Sequence, residues 1–440
     1  MQTARPAREP CLWYDLTSLA QHDGAASGVQ RAAAGLAIGL REESGRAIRF
    51  CRFDRTRGFL ALGDADVDRL LDRLRRGVER GVDARRVAEW IRRRIRKQPA
   101  FRAPFAPGDA LFNPGFATYK PRHHDEIAAL FERAGVRYVG FIYDLLPVLF
   151  PEWWRPDQQS RYRDWFAWTG RHAALVLCCS LSTQRDAERF FAQEEIATGP
   201  IETVRLGDEL PSGLAAARRA PHAVDPAARP FVLFVSTLEV RKNHRLLFQV
   251  WRRLLAAHGA ERVPDLVFVG KRGWLVDDFV TELAQSRFLD GKIVWRERVD
   301  DAELARLYAD CLFTVYPSFY EGWGLPVAES LAFGKSCVAS SASSLPEVGR
   351  DFVDYHDPHD VAEATARIER AIFDADHRAS REKMILERFR ARSWREGAAE
   401  VLGRIEFDAR ASRAAARAGR SDARCRSTSR ASWCSRPSSR

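Results

Sequence analysis

The stretch that decides the fold of this chain spans residues 316–349 and reads YPSFYEGWGLPVAESLAFGKSCVASSASSLPEVG. Its punctuation predicts a helix, because Pro326 suits a first helical turn and Gly334 supplies a stop. Glu321 then lies in the loop before the helix and Glu329 on the helix itself. A helix that begins in a Gly-rich loop presents unpaired N–H groups and a partial positive charge, which favour a diphosphate.

The two glutamates suit the other part of such a ligand. Carboxylates hold phosphate poorly, but they are good acceptors for the hydroxyl groups of a sugar or a ribose. The combination indicates a site for a nucleotide-sugar. A solvated loop and helix is the alternative, and a single glutamate would favour it; the full 34-residue string argues against it.

This string resembles the donor-binding signature of family 4 retaining glycosyltransferases of the mannosyltransferase-like kind, which have the GT-B fold. Their pattern is Glu, seven residues, Glu, with a Gly-Phe-Gly-Leu-Pro-like core. Here the core reads GWGLP, and SSLPEVG at 343–349 continues the match. The resemblance implies that Glu321 contacts the donor sugar near the reaction centre and Glu329 contacts the ribose. It places four further residues around the donor: Gly322, Trp323, Gly324 and Leu325.

Composition narrows the class of protein. A chain of 440 residues is long enough for two domains. The net charge is +11, but residues 409–440 contain nine Arg and one Asp, so most of the excess lies in that tail. The eight cysteines form no CxxC pair and no zinc-like cluster, which indicates reduced thiols and a cytoplasmic protein. The apolar runs are too short to span a membrane.

The order of elements predicts an α/β protein. Apolar runs such as FVLFVST and LFTVYPS alternate with helical patterns, which is typical of parallel sheets covered on both faces. By resemblance, two Rossmann-like domains face each other across a cleft. The predicted boundaries are an acceptor-side domain at 10–210, a linker at 211–230, a nucleotide-sugar domain at 231–390, a closing helix at 391–407 that returns to the first domain, and a disordered Arg/Ser-rich tail at 408–440.

Two cations follow the first strand of the second domain. Arg241 and Lys242 lie in FVLFVSTLEVRKNH, where positive charge can stabilise a departing diphosphate. Relatives use a lysine here, which Lys242 matches, and many also have a Gly-Arg pair where this chain has Ser236-Thr237. We expect Arg241 to compensate for the missing arginine and Thr237 to lie at the donor. The alternative is a basic helix cap.

Other candidates rest on weaker patterns. The segment IVWRERVDDAEL resembles the part of the family that contacts the nucleobase, with backbone contacts expected near Arg298 and Val299. In the first domain, Gly28 lies in one loop that follows a predicted strand, and Asn113 and Gly115 lie in another. We expect both loops to face the cleft, on the side of the donor or the acceptor.

FIYDLLP resembles the family's Ile-His-Asp-Leu-Ile-Pro segment, with Tyr143 in the place of His and Asp144 retained. The resemblance implies that Asp144 bonds the donor or the acceptor. Tyr143 either offers a hydroxyl in the same place or packs as an ordinary aromatic side chain at a strand end.

The sequence therefore predicts a retaining glycosyltransferase that moves a hexose, with mannose suggested by the resemblance, to a polysaccharide or lipid-linked glycan. The donor is a GDP- or UDP-linked sugar, and we expect no cofactor and no metal. A basic run at 92–97 and the tail leave room for peripheral contact with an anionic membrane at the inner face of the cytoplasmic membrane. The alternatives are an epimerase or phosphorylase of the same fold and, last, a nucleic-acid-binding protein, although specific nucleic-acid binding is not expected.

Overall fold

The computed structural model describes residues 9–21, 28–43, 48–79, 102–115, 121–210, 212–219 and 229–406. Within them the chain forms two α/β domains, each built on one sheet. The basic run at 92–97 and the tail at 408–440 lie outside the described residues. None of the described helices is long and apolar enough to cross a membrane.

The first domain holds a seven-stranded sheet in the order β3-β2-β1-β4-β5-β6-β7. Its strands are β1 Leu12–Asp15, β2 Ile48–Asp54, β3 Gly58–Ala61, β4 Ala110–Asn113, β5 Arg137–Ile142, β6 Leu175–Cys178 and β7 Ile201–Thr203. All neighbours are parallel except β2 and β3, which form an antiparallel hairpin at one edge. The prediction of parallel sheets is therefore right for this domain except at that edge.

The second domain holds a parallel six-stranded sheet in the order β10-β9-β8-β11-β12-β13. Its strands are β8 Phe231–Val235, β9 Asp265–Val269, β10 Ile293–Arg296, β11 Thr314–Tyr316, β12 Cys337–Ser340 and β13 Asp354–His356. Strand order reverses between β8 and β11, and ligands of such sheets bind outside the carboxyl ends of the strands at that point. The loops after these two strands carry Lys242 and Glu321.

Sixteen α-helices are labelled here in chain order within the described part of the chain. Those of the first domain and its exit are α1 Thr17–Gln21, α2 Gly28–Glu42, α3 Asp64–Glu79, α4 Pro121–Ala134, α5 Leu146–Leu149, α6 Pro156–His172, α7 Leu181–Gln193 and α8 Ser212–Arg219. The remainder are α9 His244–His258, α10 Asp277–Gln285, α11 Asp301–Asp310, α12 Leu325–Ala332, α13 Leu345–Gly349, α14 Val361–Phe373, α15 Ala375–Arg388 and α16 at 394–406. Short turns lie at Pro151–Trp153, Val240–Lys242, Arg287–Gly291 and Arg350–Phe352.

The predicted linker at 211–230 contains a helix, α8. The helix α8 packs against α11 of the second domain and α3 of the first. Its Leu214 is buried, although the surrounding prolines hide the short helical pattern. The connection is thus partly held by contacts to both domains.

The closing helix returns to the first domain, as the resemblance implied. It begins at residue 394, three residues later than predicted, because Ser393 and Glu396 form a capping box: the Glu396 amide donates to Ser393 Oγ (3.2 Å), and Glu396 Oε2 accepts from the Ser393 amide (2.8 Å). Its Trp394 packs into a groove in α2 at Gly35 and Gly39, where an added Cβ would overlap the tryptophan. These glycines are four residues apart and therefore share one face of the helix.

The chain passes between the domains twice, and the two passages are tied to each other. The backbone amides of Asp208 and Glu209 donate to the Arg392 carbonyl at 2.9 and 3.1 Å. In return, the Arg392 amide donates to the Asp208 carboxylate at 2.5 Å. Asp208 is 2% exposed, so this junction is buried.

Candidate active site

The loops after β8 and β11 are clamped together at the point where strand order reverses. Asn243 ends the turn Val240–Lys242 in the left-handed region, with φ 57°. Its Nδ2 donates to the carbonyls of Pro317 (3.1 Å) and Pro358 (2.9 Å). The Phe319 amide donates to the Arg241 carbonyl at 2.8 Å. These bonds fix the loop that carries the two cations against the loop that carries Glu321.

The carboxylate of Glu321 lies between the two predicted cations. Lys242 Nζ is 2.5 Å from Glu321 Oε1, and Arg241 Nη1 is 2.8 Å from Glu321 Oε2. Arg241 also donates from Nε to Glu239 Oε2 at 3.0 Å. Glu321 and Lys242 are each 9% exposed, so this is a nearly buried cluster of two cations and two carboxylates.

The opposite charges of this cluster stabilise each other. Burial alone raises the pKa of Glu321, but Lys242 and Arg241 outweigh it and hold that pKa at about 2. Burial and the charge of Arg241 lower the pKa of Lys242, against the attraction of Glu321. Burial likewise opposes the charge of Arg241, but Glu321 and Glu239 raise its pKa. The carboxylate is therefore ionised, and Arg241 is fully charged.

The glycine loop before α12 has the form that the sequence predicted. Gly324 caps the helix with φ 118°, Pro326 occupies its first turn, and an added Cβ at Gly324 would meet the Leu345 side chain. Ser344 Oγ donates to the carbonyls of Glu321 (2.9 Å) and Trp323 (2.7 Å).

The predicted ribose contact, Glu329, is engaged from the opposite domain. It lies on α12 and is 3% exposed. Arg31 on α2 of the first domain reaches it with Nη2 at 2.5 Å from Oε1. Tyr308 donates to Oε2 of the same carboxylate at 3.0 Å. Glu329 is therefore a junction between the domains as well as a candidate donor contact.

The first domain approaches the glycine loop closely. An added Cβ at Gly322 would overlap the Tyr143 carbonyl, and Cys179 Sγ donates to the Gly322 carbonyl at 3.1 Å. The Tyr143 ring is buried against Phe141, with ring centroids 4.7 Å apart, and its hydroxyl has no hydrogen-bond partner within the described residues.

Asp144 faces the same cluster from the first domain. Burial raises its pKa, while the nearby Arg241 lowers it. The carboxyl of Asp144 accepts a hydrogen bond from the Leu146 amide at 3.2 Å. Asp144 is thus a carboxyl of the first domain that interacts electrostatically with Arg241, Glu321 and Glu239.

Two loops of the first domain hold further candidate residues. Gly28 begins α2 opposite Leu325, with 3.9 Å between an added Cβ and the leucine side chain. Asn113 is used within its own domain: its Nδ2 donates to Asp15 at 3.1 Å, and its Oδ1 accepts from the Gly115 amide at 2.9 Å.

Three predicted donor contacts lie at the carboxyl edge of the second sheet. The Thr237 carbonyl accepts from Ser236 Oγ at 3.1 Å. Arg298 is exposed and Val299 half-buried in the loop after β10. None of them is within the charged cluster of Glu321, Lys242, Arg241 and Glu239 described above.

Sequence reasoning missed several residues at this interface. Glu347 accepts from the amides of Leu181 and Ser182, both at 2.8 Å, and thereby caps α7 of the first domain from the second. Its signal was present in SSLPEVG. Arg31 stands three residues after Gly28 on α2, but nothing local connects it with Glu329, which is 298 positions away.

Part of the chain is similar in sequence to known proteins. Residues 221–387 match the family model for glycosyl transferases group 1. The O-antigen chain mannosyltransferase B of Escherichia coli is 32% identical over 242 residues, which cover 54% of this chain and 62% of that protein. The serotype-specific mannosyltransferase WbdA of Escherichia coli is 27% identical over 235 residues, 51% of this chain and 28% of its own length. The chain thus spans less than two thirds of these relatives.

Solved structures show the same fold over almost the whole chain. The HepE protein of Anabaena, solved with UDP and glucose, superposes with a TM-score of 0.56 at 17% identity and covers 90% of this chain and 100% of its own. The α,α-trehalose 6-phosphate synthase of Burkholderia multivorans gives a TM-score of 0.57 at 15% identity, over 93% and 98%. The chain therefore has the two-domain GT-B fold, and its second domain is similar to the glycosyl transferases group 1 family.

Proposed function

We propose that this chain is a retaining glycosyltransferase that moves a hexose from a nucleotide-sugar to a glycan acceptor. The observation that carries the proposal is the buried cluster of Glu321, Lys242 and Arg241 at the reversal point of the second sheet, opposite Asp144 of the first domain. Such a position is where ligands of open α/β sheets bind. The chemistry of the cluster suits a substrate that has both a diphosphate and hydroxyl groups.

The cations act on the leaving group. Lys242 and Arg241 each have N–H groups that do not donate to carboxylates. These groups can donate to a diphosphate and stabilise the negative charge that develops on it as the sugar departs. Glu321 holds both cations in place. Because their positions are fixed before reaction, little reorganisation is needed in the transition state.

Glu321 also positions the sugar. A carboxylate that stays ionised is an acceptor only, and it can therefore orient hydroxyl donors of the transferred hexose. In the retaining reaction the acceptor hydroxyl attacks on the face from which the diphosphate leaves. The close approach of Tyr143 and Gly322 supports a site from which water is excluded on that side.

We further propose mannose, delivered from GDP-mannose, as the transferred sugar and a growing surface polysaccharide or its lipid-linked precursor as the acceptor. Both Escherichia coli relatives are mannosyltransferases, and one of them acts on an O-antigen chain, which supports this choice. The corresponding location is the cytoplasm, at the inner face of the cytoplasmic membrane. We also propose that no metal or cofactor takes part, since two protein cations already face the position of the diphosphate.

The test is a panel of GDP- and UDP-linked hexoses, each assayed for thermal stabilisation of the protein and for slow hydrolysis in the absence of acceptor. We expect GDP-mannose to raise the melting temperature most and to be hydrolysed at a rate unaffected by EDTA. Release of an epimerised nucleotide-sugar in place of free hexose would overturn the proposal. Hydrolysis that stops with EDTA and returns when a divalent metal is added would overturn the proposal that no metal takes part.

A further inference from the structure

We propose that a cavity beside the catalytic loops binds one hexopyranose unit of the acceptor glycan, away from the point of transfer. This inference rests on the proposed function and names a second contact for the same substrate. The cavity has a volume of about 370 Å³ and lies between α9, α10, the loop after β8 and the segment after β13. That volume is within the range of ligand pockets, about 300–1,000 Å³.

The inner wall contains a buried acceptor with no protein partner. His244 lines the cavity and is 3% exposed, and its Nδ1 has no hydrogen-bond partner within the described chain. Its Nε2 is 3.4 Å from Ser236 Oγ, whose own proton goes to the Thr237 carbonyl. Ser236 therefore accepts from Nε2–H, and Nδ1 is left as a lone-pair acceptor.

The imidazole is also neutral. Burial and the charge of Lys242 lower the pKa of His244 to about 3, so Nδ1 does not gain a proton at physiological pH. The neutral imidazole gives this wall of the cavity no positive charge for a phosphate or a carboxylate, which favours an uncharged ligand such as a sugar.

The apolar part of the wall suits a sugar ring. Phe319 and His359 stack on each other with ring centroids 4.9 Å apart and an interplanar angle of 29°. Leu275 joins them and is 50% exposed, held with φ 57° in a region that leucine rarely adopts. A pyranose has a C–H face that contacts apolar side chains and a rim of hydroxyls that requires polar ones.

Polar groups for that rim are present at the mouth. Arg245 and Asp278 line the cavity as an ion pair with Nη2 and Oδ2 at 2.8 Å, which sets a donor and an acceptor side by side for neighbouring hydroxyls. Gln249, one turn further along α9, adds both kinds of group and is exposed. The mixture of apolar floor and few polar groups is typical of small-molecule sites.

The cavity shares its walls with the catalytic cluster. Glu239, which lines it, accepts from Arg241 at 3.0 Å. Phe319 lies two residues before Glu321, and its amide donates to the Arg241 carbonyl. A glycan whose one unit occupies the cavity therefore runs along the same two loops that hold the reaction centre, which favours the acceptor over an unrelated ligand.

The experiment compares Gln249→Trp, which places a large ring in the mouth of the cavity, with Gln285→Trp. Gln285 is exposed at the opposite end of α10 and does not line the cavity, so it is a matched control. Binding of linear α-linked manno- and gluco-oligosaccharides of one to four units is measured by calorimetry without donor. His359→Ala, which removes one stacked ring, is measured in parallel.

We expect wild-type affinity to increase with the length of the oligosaccharide, and Gln249→Trp to weaken binding of the longer ones at least tenfold. His359→Ala should weaken them by a smaller factor, and Gln285→Trp should leave them unchanged. GDP-mannose hydrolysis should be the same in all four proteins. If hydrolysis fails in the wild type, the proposed function is wrong, independently of this result.

Three outcomes would overturn the inference. The first is wild-type protein that binds no oligosaccharide of either series. The second is Gln249→Trp protein that binds them as the wild type does. The third is a Gln249→Trp variant that loses affinity for free GDP or UDP and retains the oligosaccharides, which would assign the cavity to the nucleotide.

Discussion

At the scale of single residues, the arrangement around Glu321 links donor binding to turnover. The carboxylate compensates two buried cations, and those cations are the proposed phosphate contacts. Its removal should therefore have opposite effects on the two functions. The cations become freer to hold a diphosphate, while the sugar loses its orienting acceptor.

We expect Glu321→Gln to lower the turnover of donor hydrolysis by about 10²–10³-fold, the cost of losing one preorganised polar group in an active site. Affinity for the nucleoside diphosphate should be unchanged or higher. Steady-state kinetics and calorimetry measure the two quantities. Glu261→Gln is the control, since Glu261 is exposed just before β9, at the opposite edge of the sheet. Wild-type turnover in Glu321→Gln would remove this residue from the reaction.

The same carboxylate should make stability depend on pH. Lys242 and Arg241 hold the folded-state pKa of Glu321 at about 2, below its ordinary value of 4.5. Because the pKa of Glu321 is lower in the folded state, its ionisation stabilises the protein by about 3 kcal/mol at pH values above the unfolded-state pKa. This stabilisation is lost as the pH falls through the folded-state pKa. The difference in unfolding free energy between wild type and Glu321→Gln should thus be largest above pH 5 and shrink towards pH 2. Denaturant titrations at several pH values test this, and a constant difference would contradict it.

At the scale of elements, α16 packs closely against α2 because α2 has glycines, which lack side chains, at the contact. Gly35 lies against the Trp394 indole, so Gly35→Ala should destabilise the protein by about 1–3 kcal/mol through overpacking. Gly403 lies on α16 with no atom near an added Cβ, and Gly403→Ala should stabilise by about 0.5–1 kcal/mol. Thermal and denaturant unfolding compare the pair. If Gly35→Ala is as stable as Gly403→Ala, the groove is not tightly packed.

The elements that sequence reasoning found share one property. Strands such as β8 and β9 are buried along most of their length, so their runs of apolar residues stand out from the helices around them. The hairpin β2–β3 was missed because charged residues alternate with apolar ones in β2 and because β3 has only four residues. The helix α8 was missed because it is short and lies among prolines.

The site was predictable to the extent that its signals are local. Loop, glycines and helix around Glu321 follow from the quoted string, and Lys242 follows from its position after β8. Cross-domain partners could not be found in this way. Arg31 with Glu329 and Glu347 with the start of α7 depend on how two domains meet, which no pattern within one segment specifies.

At the scale of the whole molecule, most of the net positive charge lies in the segment at 409–440, outside the candidate site. The nine Arg of this segment supply most of the excess positive charge, while the candidate site residues lie between Gly28 and Glu329. Deleting it should leave folding and donor hydrolysis unchanged. Binding to anionic vesicles should fall, because each basic residue near such a surface contributes about 1 kcal/mol. Vesicle sedimentation and hydrolysis assays test both parts.

A full-length variant with Gln in place of those nine arginines is the control for that deletion. It should lose vesicle binding as the deletion does, because the effect is one of charge and not of length. Loss of hydrolysis or of folding in either protein would show that the segment belongs to the catalytic body.

The junction of Asp208 with Arg392 has a mechanical consequence. The two segments that connect the domains lie side by side and are joined by three hydrogen bonds. We expect them to act together as one hinge. They bend together about one axis and resist torsion, because twisting would pull the bonded backbones apart. We therefore expect the two domains to move relative to each other, as donor enters and product leaves, by a bend about this line and not by a twist.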